Sequence, residues 1–237
     1  MGAMMIHGDC LNELSFMDDY VRTWVWDPPY NINFNYGTSF ADNMEWKDYA
    51  FWIEQVGCEM IKASTTDANL FFIHYQEDAA RLLPYLEASG WKLNQWITWV
   101  YPSNFGHSPN KFTRASRAVL HLTKGNPPFH HGVKQPYKNP KDKRIQKLIE
   151  NGSTGTAHYD WIPVNLVKNV SDEKRYANQI PEALLEILIA NTTVEGELVG
   201  DPTCGSGSAP RVAVRLNRYG WGCDISEEAV ACWGDLL

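Results

Sequence analysis

One complete strand–loop–helix–strand unit lies near the end of the chain and constrains its fold more than any other feature. The apolar run GELVGD ends at Asp201, which opens the loop DPTCGSGS. The helical pattern APRVAVRLNRY then leads to a second apolar run, WGCDI. Consecutive strands joined through a helix are parallel neighbours, because only a long crossover returns the chain to the same end of a sheet. The unit therefore predicts an α/β fold with a mainly parallel, twisted sheet.

Apolar and amphipathic segments alternate along the first part of the chain. Residues 4–7, 21–27 and 69–75 are short apolar runs typical of strands. Residues 45–63 and 77–88 repeat apolar side chains at helical spacing. This alternation extends the predicted parallel sheet.

Two further runs interrupt the parallel pattern. KLNQWITWVY and SRAVLHLTKG are both typical of strands, and the loop between them has no room for a crossover helix. We therefore expect these strands to form one antiparallel hairpin. Farther along, IPEALLEILIA predicts a helix with Pro181 in its first turn, and Ser226 is a favourable N-cap for a closing helix.

Charge is distributed unevenly, although the net charge of −7 gives no overall sign of an anionic partner. Residues 124–147 hold seven lysines and arginines against one acid, Asp142, whereas the rest of the chain has a balance of −13. This stretch, rich in Pro, Gly and Asn, predicts an irregular insertion that extends to about residue 177. A basic run is usually a solvated surface, but the contrast with the acidic remainder favours a face that contacts phosphates.

The sequence also lacks the marks of several other protein classes. The five cysteines are scattered without a CxxC pair, which favours a reduced cytoplasm over a disulfide framework or a zinc site. The seven histidines form no HExxH arrangement, so we expect no metal. No apolar run approaches the roughly 20 residues that span a bilayer, and the start, MGAMMI, is too short an apolar stretch for a signal peptide. We expect a cytoplasmic protein without a membrane partner.

The loop DPTCGSG has the features of a cofactor-binding turn. Gly205 and Gly207 stand between a strand and a helix, where the backbone must approach a ligand closely. Asp224 lies 19 residues beyond Gly205, where a carboxylate can accept hydrogen bonds from both ribose hydroxyls. Pro210 replaces the third glycine of the dinucleotide fingerprint, and no Walker GK[ST] is present. The pattern favours S-adenosylmethionine, which has a ribose but no pyrophosphate; the alternative is an ordinary tight turn.

A second motif, DPPY, directly follows the apolar run VRTWVW. Its chance occurrence in such a chain is on the order of 10⁻³ at average residue frequencies. Pro28 and Pro29 lock φ, which fixes the direction of the Asp27 carboxylate and of the Pro28 carbonyl. Two fixed acceptors suit an exocyclic NH₂ group, and Tyr30 can stack on the ring that carries it. The structural alternative is a rigid strand exit with Asp27 capping the loop.

DPPY with a separate DPxxGSG resembles the S-adenosylmethionine-dependent DNA amino-methyltransferases, which modify adenine N6 or cytosine N4. Because DPPY comes first, the chain is similar to the β group of that family, from GDC at residues 8–10 to GCDI at residues 222–225. The resemblance implies a Rossmann-like methyltransferase fold with a circularly permuted motif order. It also implies a catalytic half at 5–123, a basic target-recognition insertion at 124–177 and a cofactor-binding half at 178–237, the two halves forming one domain.

The resemblance assigns roles to particular residues. The residues that would hold the reacting amine are Asp27, Pro28, Pro29 and Tyr30. The residues that would bind the cofactor are Asp9, Cys10, Asp27, Gln179, Pro181, Asp201, Pro202, Thr203, Cys204, Gly205, Ser206, Gly207 and Asp224. Two positions depart from the usual family pattern, because Ile180 stands in place of Lys and Thr203 in place of Phe; neither is a reacting group.

DNA contacts are expected from charge and position. Phe34, just beyond DPPY, is either a second wall for the target base or a plain core or loop aromatic. The hairpin loop offers Asn104, His107, Lys111 and Arg114, either for DNA or as ordinary loop polar groups. In the basic insertion the expected phosphate contacts are Lys134, Lys138, Lys141, Lys143, Arg144 and Lys147. His74, at the end of a buried run, is interpreted as a hydrogen-bonded core histidine.

The motifs together predict site-specific methylation of adenine N6 in double-stranded DNA, with the base flipped out of the duplex. Members of the β group often act as dimers, so a homodimer is compatible with the resemblance. Cytosine N4 methylation uses the same groups and is the main alternative. Methylation of RNA or of a glutamine side chain is another, and a non-catalytic binding module with a degenerate pocket is the alternative from a different class.

Overall fold

The computed structural model describes residues 1–36, 42–102, 109–167, 172, 176, 178–234 and 236. Strands and helices alternate there as an α/β fold requires. The strands are β1 (Ala3–His7), β2 (Val21–Trp26), β3 (Ser64–His74), β4 (Lys92–Val100), β5 (Ser116–Lys124), β6 (Trp161–Pro163), β7 (Leu198–Asp201) and β8 (Tyr219–Asp224). The helices are α1 (Cys10–Leu14), α2 (Trp46–Ala63), α3 (Gln76–Ala88), α4 (Lys143–Glu150), α5 (Glu182–Thr192), α6 (Ser208–Arg215) and α7 (Glu227–Val230).

These strands form one sheet in the order β1-β8-β7-β2-β3-β5-β4-β6. Within the described part of the chain only β5 is reversed, antiparallel to both β3 and β4, and the other pairs are parallel. The mainly parallel α/β fold with one antiparallel hairpin is therefore confirmed. The unit of β7, α6 and β8 has the predicted parallel pairing, and the strand that carries DPPY, β2, lies centrally between β7 and β3.

Helices cover both faces of the sheet because successive side chains of a strand point to opposite sides. Trp24 and Trp26 of β2 are buried in one core, together with apolar side chains of α2 and α3. Val25, between them, is buried in the second core, which α5 and α6 complete. A large apolar side chain contributes about 1.5–3 kcal/mol when it is fully buried. The strand that leads to DPPY is thus anchored from both sides.

The segment expected to be an irregular insertion contains regular structure, which corrects that expectation. Helix α4 begins after Asp142, whose side chain caps it by accepting from the Arg144 amide at 2.8 Å. None of its residues is buried, so no face of α4 packs into a core. Without a packed face, the basic sequence did not indicate a helix. Strand β6 is only three residues long and pairs in parallel with the end of β4.

Smaller differences concern helix ends. The short helix α1 was not expected from the sequence. It follows Asp9, and the Asp9 carboxylate accepts a hydrogen bond from the Leu11 amide at 2.9 Å. Helix α6 stops at Arg215, earlier than its apolar pattern, because Asn217 has a left-handed φ of 62°. Ser226 caps α7 as expected. Among the described residues, no helix is long and apolar enough to cross a membrane.

Candidate active site

The carboxyl ends of β2 and β7 lie side by side, and the loops that follow them line one cavity. Thr203 in the second loop donates from Oγ1 to the backbone oxygen of Asp27 in the first, at 3.3 Å and across 176 residues of sequence. The cavity has a volume of about 420 Å³ and mainly apolar walls. The chain leaves β2 toward α2 and leaves β7 toward α6, which lie on opposite faces of the sheet. Open α/β sheets bind ligands at such a point.

The glycine loop forms the wall of the cavity after β7. Gly205 and Gly207 have positive φ angles of 50° and 75°, which favour glycine. The Gly205 amide donates to Asp224 Oδ2 at 2.8 Å, and the Ser226 amide donates to Oδ1 at 2.9 Å. Burial raises the pKa of Asp224, and these backbone donors oppose the rise. A carboxylate has about four acceptor positions, so Asp224 retains capacity for hydroxyl donors of a ligand.

The DPPY segment forms the wall after β2. The Tyr30 hydroxyl donates to Asp27 Oδ1 at 2.5 Å. Burial raises the pKa of Asp27 to about 6, opposed by the nearby Arg117 cation and by the Tyr30 hydrogen bond. Among the described residues no donor reaches Asp27 Oδ2 or the Pro28 carbonyl. These two oxygens are therefore available to a donor that enters the cavity.

Behind DPPY lies a chain of hydrogen bonds to α2 and β3. The Tyr49 hydroxyl donates to the Pro29 carbonyl at 2.7 Å and lies 3.1 Å from His74 Nε2. The Tyr75 amide donates to His74 Nδ1 at 2.9 Å, so the neutral ring carries its proton on Nε2 and donates to Tyr49. Burial, followed by the Arg117 cation, lowers the pKa of His74 to about 3, which keeps the ring neutral. The interpretation of His74 as a hydrogen-bonded core histidine is consistent with this network.

The loop after DPPY is held by one buried carboxylate. Asp42 accepts from the backbone amides of Asn31 at 2.7 Å, Ile32 at 3.2 Å and Phe34 at 2.7 Å. Farther on, the carbonyl of Tyr36 accepts from the Ser226 hydroxyl at 3.2 Å, which ties this loop to the start of α7. The loop thereby places apolar side chains over the cavity.

Most of the sequence-predicted site residues meet at this cavity. All four DPPY residues line it. Of the predicted cofactor-binding residues, those that line it are Asp9, Cys10, Asp27, Gln179, Asp201, Pro202, Thr203, Cys204, Gly205, Ser206 and Asp224. Pro181 and Gly207 are not among the lining residues; they are the N-cap positions of α5 and α6. Burial raises the pKa of Asp201 well above its ordinary value, and the Thr203 amide, at 3.2 Å, opposes this rise.

The residues predicted to contact DNA are less concentrated. Phe34 lines the cavity and is 37% exposed. Arg114 forms an ion pair with Glu77 at 3.0 Å and lies 3.8 Å above the Tyr75 ring. The remaining residues are exposed and are not part of the cavity lining: Lys111, Lys134, Lys138, Lys141, Lys143, Arg144 and Lys147. Asn104 and His107 lie outside the described residues.

Several lining residues were not expected from the sequence: Tyr36, Trp52, Tyr75, Arg117 and Tyr176. Tyr176 donates from its hydroxyl to Ser226 Oγ at 3.2 Å, and its ring lies beside Gly205. Arg117 is the second residue of the reversed strand β5, so it lies at the edge where the parallel strands end. The predicted antiparallel hairpin placed the start of β5 at this edge, but no motif identified Arg117 as a site residue. In the described part of the chain, no group of three or more His, Cys, Asp or Glu could hold a metal.

In a comparison with known proteins, one family model matches most of the chain. This model is described as DNA methylase, and it matches residues 21–233. A curated relative, the DNA adenine methyltransferase YhdJ of Escherichia coli (strain K12), is 25% identical over 241 residues, which is 95% of this chain and 79% of that protein. The chain spans between 56% and 66% of the length of the first three curated relatives, all type II methyltransferases.

Two of the solved structures that share the fold of this chain illustrate the likeness. One is the PvuII DNA methyltransferase (cytosine-N4-specific), with a TM-score of 0.75 and 18% identity, over 98% of this chain and 85% of that one. The other is an M1.HpyAVI–SAM complex, with a TM-score of 0.67 and 15% identity, over 99% of this chain and 100% of that one. At this level of identity the likeness concerns the fold.

Proposed function

Given that the chain belongs to the DNA methylase family, we propose that it transfers a methyl group from S-adenosylmethionine to an exocyclic amine of a DNA base. The observation that carries the proposal is the meeting of DPPY and the glycine loop at one cavity, with Thr203 hydrogen-bonded to Asp27. The cofactor-binding half in this proposal is residues 178–237. The half that holds the base is residues 5–123, and residues 124–177 are the target-recognition insertion.

The cofactor end of the cavity fits a ribose and an adenine. Asp224 has acceptor capacity for the ribose hydroxyls, and Gly205, whose amide donates to Asp224, would bring the backbone close to the ligand. Asp9 lies two residues after His7, which pairs with Asp224 across β1 and β8, and it lines the same cavity, where it would meet the adenine. One of the solved structures of this fold is described as a SAM complex. When bound there, S-adenosylmethionine supplies a methyl group on a positively charged sulfur.

The residues at the other end would orient the amine. An exocyclic amine on an aromatic ring is a poor nucleophile because its lone pair is delocalised into the ring. Asp27 Oδ2 and the Pro28 carbonyl would accept hydrogen bonds from its two N–H groups. This arrangement favours a pyramidal nitrogen and directs its lone pair. The Asp27 carboxylate would also stabilise the positive charge that develops on the nitrogen. That charge would disappear when the methylated amine loses one of its protons, and the sulfur would leave as neutral S-adenosylhomocysteine. The apolar walls would exclude water from the reaction.

Adenine N6 is the target we propose, with cytosine N4 as the second candidate. The DPPY form is mostly that of adenine enzymes in the family it resembles, and the relative YhdJ is described as an adenine methyltransferase. The PvuII structure, described as cytosine-N4-specific, supports the second candidate through the fold alone. Both amines have two N–H donors and a ring that can stack, so the pair of acceptors suits either one.

In duplex DNA the target amine becomes accessible when the base is flipped out, which costs a few kcal/mol in lost stacking and pairing. Phe34 and Ile32, held over the cavity by Asp42, would contact the flipped base. The exposed basic side chains around α4 would contact phosphates and compensate part of that cost.

Direct detection of modified bases tests the proposal. Genomic DNA from cells that express the protein should carry N6-methyladenine at one short sequence, and DNA from cells that express Asp27→Ala should not. N4-methylcytosine in place of N6-methyladenine would select the second candidate. Unmodified DNA, together with no methyl transfer to purified DNA of varied sequence, would contradict the proposed function.

Two variants should separate the two ends of the cavity. Asp27→Ala should lower methyl transfer by at least about 100-fold while calorimetry finds cofactor affinity within about threefold of wild type. Asp224→Ala should weaken cofactor binding by about tenfold or more, since it removes an acceptor and a support of the glycine loop. Near-normal turnover of Asp27→Ala, or unchanged cofactor affinity of Asp224→Ala, would remove the role assigned to that residue.

A further inference from the structure

Arg117 is the only Lys, Arg or His among the described residues that line the cavity, which also contains Asp9, Asp27, Asp201 and Asp224. It comes from β5, and its backbone pairs with Trp99 of β4. The cavity therefore contains four carboxylates and one cation. The cation lies at the DPPY end, because its guanidinium carbon is 5.1 Å from the centre of the Tyr30 ring.

Aromatic faces surround the guanidinium group of Arg117. Its central carbon is 5.2 Å from the centre of the Trp99 ring and 5.8 Å from that of Tyr75, in addition to the Tyr30 contact. Its Nε is buried and has no hydrogen-bond partner among the described residues. No carboxylate of the described chain lies within ion-pair distance of it. The positive charge is thus held in place by the faces of rings and by a side-chain hydrogen bond with Tyr101, and it remains directed at the cavity.

Asp27 is the carboxylate that this charge affects most directly. Burial favours its neutral form, and the Arg117 cation is the largest influence in the opposite direction, followed by the Tyr30 hydrogen bond. The other titratable or charged groups that interact with Asp27 or Arg117 are Tyr36, Tyr49, His74, Tyr75, Tyr101 and Asp201. Burial raises the pKa of Tyr36, Tyr49 and Tyr101 and lowers that of His74, so these groups are neutral near pH 7. Burial also raises the pKa of Asp201, and an ionised Asp201 would have the same sign of charge as Asp27. Arg117 is therefore the counter-charge of Asp27 in the described part of the cavity.

A base that fills the cavity would displace the water that remains around Asp27. Loss of this water favours the protonated carboxyl, which would have one acceptor fewer for the amine. A cation held by rings keeps its position during this change, unlike a mobile counter-ion. Resting on the proposed function, we infer that Arg117 is a positioning residue for methyl transfer: it holds Asp27 in the ionised form that accepts the amine.

The first test measures the protonation of Asp27 without any activity. In protein labelled with ¹³C-aspartate, the Asp27 carboxyl resonance is identified by its absence from Asp27→Asn and is followed against pH. Arg117→Gln should move its midpoint upward by about 1–3 pH units, and Arg117→Lys by less, because an opposite charge at this range lowers an acid's pKa by that amount. Arg81→Gln removes a cation that lies 3.5 Å over Trp46 and is not among the residues that line the cavity, so it should leave the midpoint unchanged.

The second test is the pH dependence of methyl transfer. The acid limb of kcat should move upward in Arg117→Gln, so that a shift of about two units lowers kcat about tenfold at pH 7 and restores it near pH 9. Cofactor affinity should stay within about threefold of wild type. A merely structural role would lower kcat equally at all pH values. An Asp27 midpoint and an acid limb that do not move in Arg117→Gln would overturn the inference.

Failure of the proposed function has a different signature. If wild-type protein methylates no DNA, the proposed function fails, while the carboxyl titration still reports whether Arg117 controls Asp27. If wild-type protein is active and the titration midpoint is the same in Arg117→Gln, only the inference about Arg117 fails. Thermal unfolding of Arg117→Lys and Arg117→Gln is compared with wild type, so that only folded variants enter the titration.

Discussion

Burial of the Asp27 carboxyl group destabilises the folded protein when this group is ionised. Its carboxyl group lies among apolar walls, and burial raises its pKa from 3.8 to about 6. Each unit of difference from the unfolded chain corresponds to about 1.4 kcal/mol in favour of the neutral form. At neutral pH the folded protein must therefore hold a charge that the unfolded chain would hold more easily. Such a cost is typical of groups placed for binding or chemistry.

Replacement of this carboxyl should stabilise the protein. Asp27→Asn should raise the free energy of unfolding by about 1–3 kcal/mol at pH 8, because the amide removes the cost of the buried charge. The raised pKa gives the sign: the wild-type cost is absent below pH 4, grows between pH 4 and pH 6 and is complete above pH 6. Urea unfolding between pH 4.5 and pH 8 measures the gain.

The exposed residue Asp18 provides the matched control for that prediction. Asp18→Asn removes the same charge from the surface and should change the free energy of unfolding by less than about 0.5 kcal/mol at either pH. A loss of stability in Asp27→Asn at pH 8 would show that Asp27 contributes more as a hydrogen-bond acceptor than it costs as a buried charge.

Site residues that lie in short motifs could be predicted from the sequence. Site residues that reach the cavity only because of the order of the strands and the path of the loops could not. Asp27 and Gly205 stand in rigid, recognisable turns whose backbone geometry depends on Pro and Gly nearby. Arg117 and Tyr176 reach the same cavity from a strand start and from the end of the insertion. Their positions depend on strand order and loop path, which local sequence does not specify.

The Tyr49 hydroxyl links helix α2 and strand β3 to the DPPY segment. The Tyr49 hydroxyl donates a hydrogen bond to the Pro29 carbonyl and accepts one from His74 Nε2. The His74 ring also stacks on Tyr30, with centroids 4.2 Å apart and planes at 24°. Two elements behind the cavity therefore fix both the backbone and the aromatic ring of the DPPY segment.

Removal of that hydroxyl should loosen the DPPY segment without affecting the cofactor end. Tyr49→Phe should cost about 1–3 kcal/mol of stability, because the Pro29 carbonyl and His74 Nε2 lose their partner. It should lower kcat for methyl transfer by about 3–30-fold and leave cofactor affinity within about twofold. Steady-state kinetics and calorimetry measure the two effects.

Tyr20→Phe is the control for Tyr49→Phe, since Tyr20 is 70% exposed and has no hydroxyl contact in the described chain. It should match wild type in both assays. Equal kcat in Tyr49→Phe and wild type would show that Pro28 and Pro29 hold the segment without help from α2.

Elements with a buried face could be predicted from the sequence, and elements without one could not. The apolar pattern of α2 and the runs of β2 and β3 correspond to their burial in the two cores. Helix α4 packs no residue into a core and depends on the Asp142 cap, so its basic sequence resembled a loop. Strand β6 has only Ile162 buried and is formed by its neighbour β4 more than by its own sequence.

At the scale of the whole molecule, charge is separated between the insertion and the rest. The predicted phosphate contacts at 134–147 are exposed, whereas the charged side chains that line the cavity are four aspartates and one arginine. DNA with its high charge density would be attracted to the insertion and repelled by the acidic remainder, which favours one orientation of the duplex.

Neutralisation of three basic residues should weaken this attraction. Lys141→Gln, Lys143→Gln and Arg144→Gln together should reduce the slope of log K against log salt by up to about 3, because each phosphate contact contributes about 0.9. Fluorescence anisotropy with duplex DNA between 50 and 200 mM salt, roughly the range over which such contacts are lost, gives the slope.

The matched control neutralises Lys47, Lys62 and Lys92, which are exposed on other elements. It makes the same change in net charge and should leave the slope within about one unit of wild type. Equal reductions in the two triple variants would show that net charge, and not the insertion, determines the affinity for DNA.

The hydrogen bond between Thr203 and Asp27, across 176 residues, also has a consequence for synthesis of the protein. A ribosome completes DPPY long before it reaches the glycine loop, so a nascent chain can pair β2 with β3 while the place of β7 is still empty. The complete cavity cannot form on such a partial chain, because the glycine loop after β7 is one of its walls. Premature termination before β7 would therefore release a polypeptide that lacks the proposed cofactor loop, although its DPPY segment is already complete.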